Sequence, residues 1–193
     1  MMDLTSTLVE EKAATYRETQ PLAAVEAQHL DILPGMLRSG EYGWRDVEWV
    51  VQWYYRRYLG AYPDRERRAV EAAFGDNTYE AVAEALARVS TAETVEEKLG
   101  ALTALEGVDI PVASAYLFFM APESYLAVDD RQWRALEAAG RLGGPYPDPP
   151  SVDDYLAYLE TCRPLAEDVG VDLATLYRAL WRLGTELAEA ESG

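Results

Sequence analysis

Two carboxylates stand side by side at Asp129 and Asp130, in the stretch YLAVDDRQWRAL from Tyr125 to Leu136. An apolar run leads into them and a helical pattern follows at once. A carboxylate placed at such a junction can stabilise positive charge that builds on a reacting neighbour, and can orient or deprotonate an attacking water. A free Asp titrates near about 3.9, so the group would be ionised at neutral pH. The same residues also suit a helix start. Asp129 as N-cap, with Asp130, Arg131 and Gln132 at the first three helical positions, makes an Asp-x-x-Gln capping box, and Val128 is placed to staple onto Trp133. Catalysis and capping share one geometry, and the residues alone leave both open.

Two further stretches carry chemical possibilities. LEGVDIP, from Leu105 to Pro111, reads as a tight turn between helices. Gly107 supplies the turn and Pro111 suits a first helical turn. The free N–H groups of the helix it opens, with the positive end of the helix dipole, can hold a phosphate. Its bland counterpart is an ordinary αα-turn with a glycine. YYRRYLGAYPDRERR, from Tyr54 to Arg68, is the one basic stretch, with five arginines against Asp64 and Glu66. Arg56, Arg57, Arg65, Arg67 and Arg68 suit phosphate contact, and the tyrosines suit base stacking; a solvated helix face with local ion pairs is the plainer reading and the one favoured. Trp44, Trp49, Trp53, Tyr54 and Tyr55 suit either a pocket for a flat ligand or the core. Cys162 and His29 each stand alone, which excludes a disulfide framework and a Cys/His metal site. No metal or cofactor is expected.

The elements that must position these residues are helical throughout. Helical spacing runs over Asp3–Arg17, Pro21–Leu37, from Trp44 through the arginines, Pro63–Phe74 and Tyr79–Val89. Ser90 or Thr91 is the expected N-cap of the next helix. PVASAYLFFM, from Pro111 to Met120, is apolar nearly all round and reads as a buried central helix. GGPYPDPP, from 143 to 150, must be a loop. Val152–Val169 and Leu173–Ala190 close the chain. No strand alternation is long enough to build a sheet. The expectation is one all-α domain over residues 1–193, with a hairpin core at about 90–142 and a C-terminal helical pair at 151–190.

Charge is the unusual property. Seventeen Lys and Arg stand against 34 Asp and Glu, a net of −17, and all but Lys12 and Lys98 of the cations are arginine. This bias resembles proteins that work in molar salt, where the Debye length falls to about 3 Å at 1 M and repulsion is screened. In ordinary salt the acidity argues against nucleic acid. The start of the chain lacks a secretory pattern and no apolar run reaches membrane-spanning length, so the expected location is the cytoplasm, with no membrane partner.

ALEGVDIPVASAYLFFMAPESYLAVDDRQWRAL, from Ala104 to Leu136, resembles the hairpin and catalytic segment of the helix-hairpin-helix DNA glycosylase superfamily. Leu105, Gly107, Val108, Ala113, Val128, Asp129 and Arg134 fill the family's places, and Leu99 to Leu136 carry the match. The resemblance implies a DNA glycosylase-like helical bundle, DNA as partner, and hydrolysis of the N-glycosidic bond of a damaged base. It makes Asp129 the catalytic carboxylate. Gly107, Val108, Asp109, Ile110 and Arg131, with Arg56 and Arg57, become candidate DNA contacts. Two departures stand out. Asp109 replaces the hairpin's second glycine, and Pro111 occupies the place of the lysine that attacks the sugar in bifunctional members, so activity would be monofunctional. A non-catalytic nucleic-acid or protein interaction module of the same fold is the alternative.

Overall fold

The computed structural model describes residues 2–192, and among them every regular element is an α-helix. They are α1 (Ser6–Thr19), α2 (Ala23–Ser39), α3 (Trp44–Arg56), α4 (Asp64–Gly75), α5 (Tyr79–Thr91), α6 (Val95–Leu102), α7 (Ile110–Met120), α8 (Asp130–Ala138), α9 (Val152–Val169) and α10 (Leu173–Ser192). The all-α expectation holds, as does the loop at 143–150 between α8 and α9.

α7 is the axis of the fold. Every residue from Pro111 to Met120 is buried, and α2, α3, α6 and α9 pack around it. An all-apolar helix has no face to offer water, so only a central position satisfies it. The first helix returns to the last: α1 packs on α10, and α10 packs on α8. Gly184 makes the α8–α10 crossing possible, because a Cβ there would overlap the Arg131 carbonyl.

Helix starts differ from the sequence reading in three places. α1 begins at Ser6 behind Thr5, whose hydroxyl accepts from the Leu8 N–H at 3.3 Å. Pro21 lies in a turn just ahead of α2 instead of within its first turn. Ser90 and Thr91 do not open α6; they finish α5, with their hydroxyls donating back to the carbonyls of Leu86 and Ala87. Thr94 is the cap. Its side chain accepts from Glu97 N, and the Glu97 carboxylate accepts from Thr94 N, a complete capping box.

Between α7 and α8 the chain crosses the core without helical hydrogen bonds. Leu126, Ala127, Val128 and Asp129 have no exposed surface. Buried backbone groups need partners, and tyrosines from other elements supply them. The hydroxyls of Tyr155, Tyr158 and Tyr54 donate to the carbonyls of Leu126 (3.0 Å), Ala127 (3.1 Å) and Val128 (2.9 Å). The Ser114 hydroxyl accepts from Val128 N at 2.9 Å. This ladder fixes where the chain delivers its pair of aspartates.

Candidate functional site

Asp129 is the N-cap of α8. Its Oδ1 accepts from the backbone N–H of Arg131 (2.9 Å) and Gln132 (3.0 Å). Its Oδ2 lies 2.8 Å from Nη2 of Arg57, and neither side chain has any exposed surface. With its amide turned to satisfy its neighbours, Gln132 donates to Asp129 Oδ2 (3.0 Å) and to the Ala127 carbonyl (2.6 Å). The capping box is therefore half made: the cap accepts from the helix, but the Gln132 side chain reaches the carboxylate, not the cap's own N–H. Burial pushes the Asp129 carboxyl up to about 6, against the opposing pull of Arg57.

Arg57 was one of the five arginines suited to phosphate contact, and it lies wholly inside the protein. Nε donates to the Tyr54 carbonyl (2.9 Å) and Nη1 to the Tyr177 hydroxyl (2.7 Å). Nη2 faces Asp129 off the line of its N–H bonds, so the contact is a close ion pair without a well-aligned hydrogen bond. The rings of Trp53, Tyr54, Tyr58, Tyr177 and Trp181 surround the guanidinium with centroids 4.4–5.8 Å away. A weakly hydrated, planar cation tolerates such an aromatic cage better than an ammonium would. Three arginines of the rest of the basic stretch are locally neutralised, whereas Arg65 has no ion pair among the described residues. Arg56 pairs with Glu71, Arg67 with Glu71 and Asp64, and Arg68 with Asp64. The solvated-face reading therefore describes Arg56, Arg67 and Arg68.

The hairpin places its residues in two directions. Gly107 has φ of +72°, and a Cβ on it would come within 2.6 Å of Phe74 N and 2.7 Å of the Val70 carbonyl oxygen. Its glycine requirement comes from the backbone of α4 pressed against it. Asn77, just past α4, completes the closure by accepting from Glu106 N and donating to the Glu106 carbonyl. Val108 is buried and Ile110 half-buried. Asp109 turns its side chain back to cap α7, accepting from Val112 N at 3.0 Å. The carboxylate thus fills the place at the helix start where a phosphate would sit. Desolvation raises its carboxyl above the usual range.

The two ends of the motif nevertheless meet. Asp109 and Pro111 at the start of α7, and Asp130 and Arg131 at the start of α8, line one cavity of about 420 Å³. Its remaining walls include Tyr54, Tyr55, Tyr58, Tyr62, Tyr146 and Asp148. Asp130, not Asp129, is the α8 carboxylate that faces the cavity, and its Oδ1 accepts from the Tyr58 hydroxyl at 2.9 Å. The guanidinium of Arg131 lies over the rings of Trp181 (4.4 Å) and Tyr58 (4.9 Å) and donates to Thr185. Of the aromatics proposed from the sequence, Tyr54 and Tyr55 line the cavity, whereas Trp53 belongs to the core and Trp44 and Trp49 pack against it. Tyr58 and Tyr62, from the basic stretch whose tyrosines suited stacking, also line it, whereas Tyr146 and Asp148 were missed. The proline-rich loop delivers Tyr146 and Asp148, and it is tethered by Trp133, whose Nε1 donates to the Gly144 carbonyl at 3.0 Å and whose ring packs against Tyr146. His29 stacks on Trp49, and Cys162 is buried. Among the described residues no group of three His, Cys, Asp or Glu side chains could hold a metal ion, and no helix is long and apolar enough to cross a membrane.

Compared with known proteins, the chain matches no family model, no curated protein and no solved structure.

Proposed function

We propose that this chain is a non-catalytic interaction module on a helix-hairpin-helix-like scaffold, with the tyrosine-lined cavity as its binding site. The observation that carries this reading is the closed Arg57–Asp129 pair. A catalytic carboxylate must come within hydrogen-bond reach of its substrate or of one bridging water. Asp129 has no exposed surface and already holds two backbone amides, a guanidinium and an amide side chain. Freeing it would strand a buried Arg57, and breaking a buried pair typically costs about 3–5 kcal/mol. The self-capped hairpin and the arginines paired with acids argue in the same direction against DNA as partner.

The second reading, a monofunctional DNA glycosylase, is favoured by one observation. The two segments the resemblance assigns to an active site line a single cavity. Under that reading Asp130 and not Asp129 would meet the substrate. The discriminating assay is release of free base at high salt from duplexes bearing oxidised, alkylated or mismatched bases. No release by the wild-type protein is expected. Release that drops by about 10²-fold or more in Asp129→Asn or Asp130→Asn, with folding retained, would replace the module by the enzyme.

A further inference from the structure

A second, smaller cavity of about 230 Å³ lies where the end of α1 and the turn after α3 meet α10, and it shares Tyr58 and Arg131 with the tyrosine-lined one. Its walls set the guanidiniums of Arg131 and Arg182 against one carboxylate, that of Glu189, which is exposed. The hollow is thus locally positive in a chain of net charge −17. The four hydroxyls of its wall are already committed as donors. Tyr16 donates to Glu26, Thr19 to the Thr15 carbonyl, Tyr58 to Asp130 and Thr185 to the Trp181 carbonyl. The arginines are not fully committed. The guanidinium of Arg131 lies over the rings of Tyr58 and Trp181, and its Nη1 donates to Thr185 at 3.1 Å. Among the described residues no carboxylate pairs with it, and its Nε and Nη2, which together form one edge of the fork, have no acceptor. Arg182 gives its Nε to Glu186 at 2.9 Å, and its Nη1 and Nη2 have no acceptor among the described residues.

We infer that this second cavity binds a small organic carboxylate on the open edge of Arg131, with Arg182 as the supporting cation. A guanidinium edge with two parallel N–H groups matches the two oxygens of a carboxylate. The two rings and Thr185 hold that edge in place before a ligand arrives, so little side-chain freedom is lost on binding. Two guanidiniums against Glu189 leave one positive charge, which suits a singly charged anion, while a polyanion meets the repulsion of the whole molecule. The ring faces of Tyr58 and Trp181 are taken by Arg57 and Arg131, so the ligand gains no stacking surface there. Its apolar contact is Leu59, which lines the same cavity, stands 59% exposed and has a φ of +53°, a left-handed backbone uncommon for leucine. A short branched aliphatic body meets that side chain. The inference goes beyond the module reading, because it concerns a different cavity, and the base-release assay does not bear on it.

Isovalerate is the probe, titrated into the full chain at constant ionic strength and followed by the NMR shift of the Trp181 indole N–H. Isovaleramide is its uncharged isostere, and inorganic phosphate is the competing anion. Saturable isovalerate binding in the millimolar range is expected, with isovaleramide weaker by roughly tenfold or more. Arg131→Lys retains the charge and loses the fork, and should weaken isovalerate by roughly tenfold. Arg182→Gln should weaken it several-fold with circular dichroism unchanged, because Glu186 still has Lys12 at 3.0 Å. Should Arg131→Lys misfold, Arg182→Gln and the amide comparison carry the test. Four results overturn the inference: no saturable shift, isovaleramide binding as tightly as isovalerate, folded arginine variants that bind like the wild type, or phosphate binding as tightly as isovalerate.

Discussion

Arg57 and Asp129 form a closed charge pair in a protein interior, and the physics of such pairs sets a sharp expectation. Removing one partner leaves the other charged and dry, whereas removing both charges together can be nearly neutral. Arg57→Met should therefore destabilise the fold by about 3–5 kcal/mol, read from chemical denaturation. Arg57→Met combined with Asp129→Asn should recover part of that loss, because Asn still accepts from Arg131 N and Gln132 N but carries no charge. A double variant no more stable than Arg57→Met alone would show that the aromatic cage, and not the stranded carboxylate, sets the cost. The sequence offered the two aspartates without saying which way each points. Asp129 is committed inward by the tyrosine ladder on residues 126–128, and its donors Tyr155 and Tyr158 sit on α9, some thirty positions later in the chain. No local pattern carries that information, so Arg57 read as a phosphate contact when it is a buried counter-ion.

The elements were far more legible than the contacts between them. α7 announced its central place by being apolar on all sides, and the proline-rich stretch before α9 could only be a loop. The start of α6 was misplaced because Ser90 and Thr91 resemble caps; the complete box formed by Thr94 and Glu97 outweighs them. The hairpin shows a different limit. Gly107 reads as a turn glycine, which its φ of +72° bears out, yet the tight approach of the α4 backbone could not be read from the hairpin itself. Its two requirements can be separated. Gly40 has a similar φ of +78° with open space around it, so Gly40→Ala should cost only the left-handed backbone penalty, about 1–2 kcal/mol. Gly107→Ala should cost that and the displacement of α4, about 3 kcal/mol or more. Equal melting shifts for the two variants would mean that α4 yields freely and that Gly107 is there for the turn alone.

At the scale of the whole molecule, the net charge of −17 sits on a surface whose cations are few, and Lys12, Arg56, Arg67, Arg68, Arg134 and Arg182 among them are held in ion pairs. Repulsion between unmatched surface carboxylates favours expansion, and salt weakens it over the Debye length, which shrinks from about 10 Å at 0.1 M to about 3 Å at 1 M. The interior pairs are insulated from that change. Arg57–Asp129 and the Arg178–Glu26 contact at 3.0 Å lie where mobile ions scarcely penetrate. Added sodium chloride should therefore stabilise by relieving surface repulsion with little loss from the core pairs. The expected melting temperature climbs most steeply below about 1 M, where the screening length changes most, and more slowly beyond it, where only general exclusion of salt from apolar surface remains. That shape separates the two contributions, since general exclusion alone gives a steady rise with no early steep phase. A curve that is flat or falling at low salt would mean that the acidic surface is already neutralised by its own arginines, and the acid excess would then say nothing about the solvent this protein is built for.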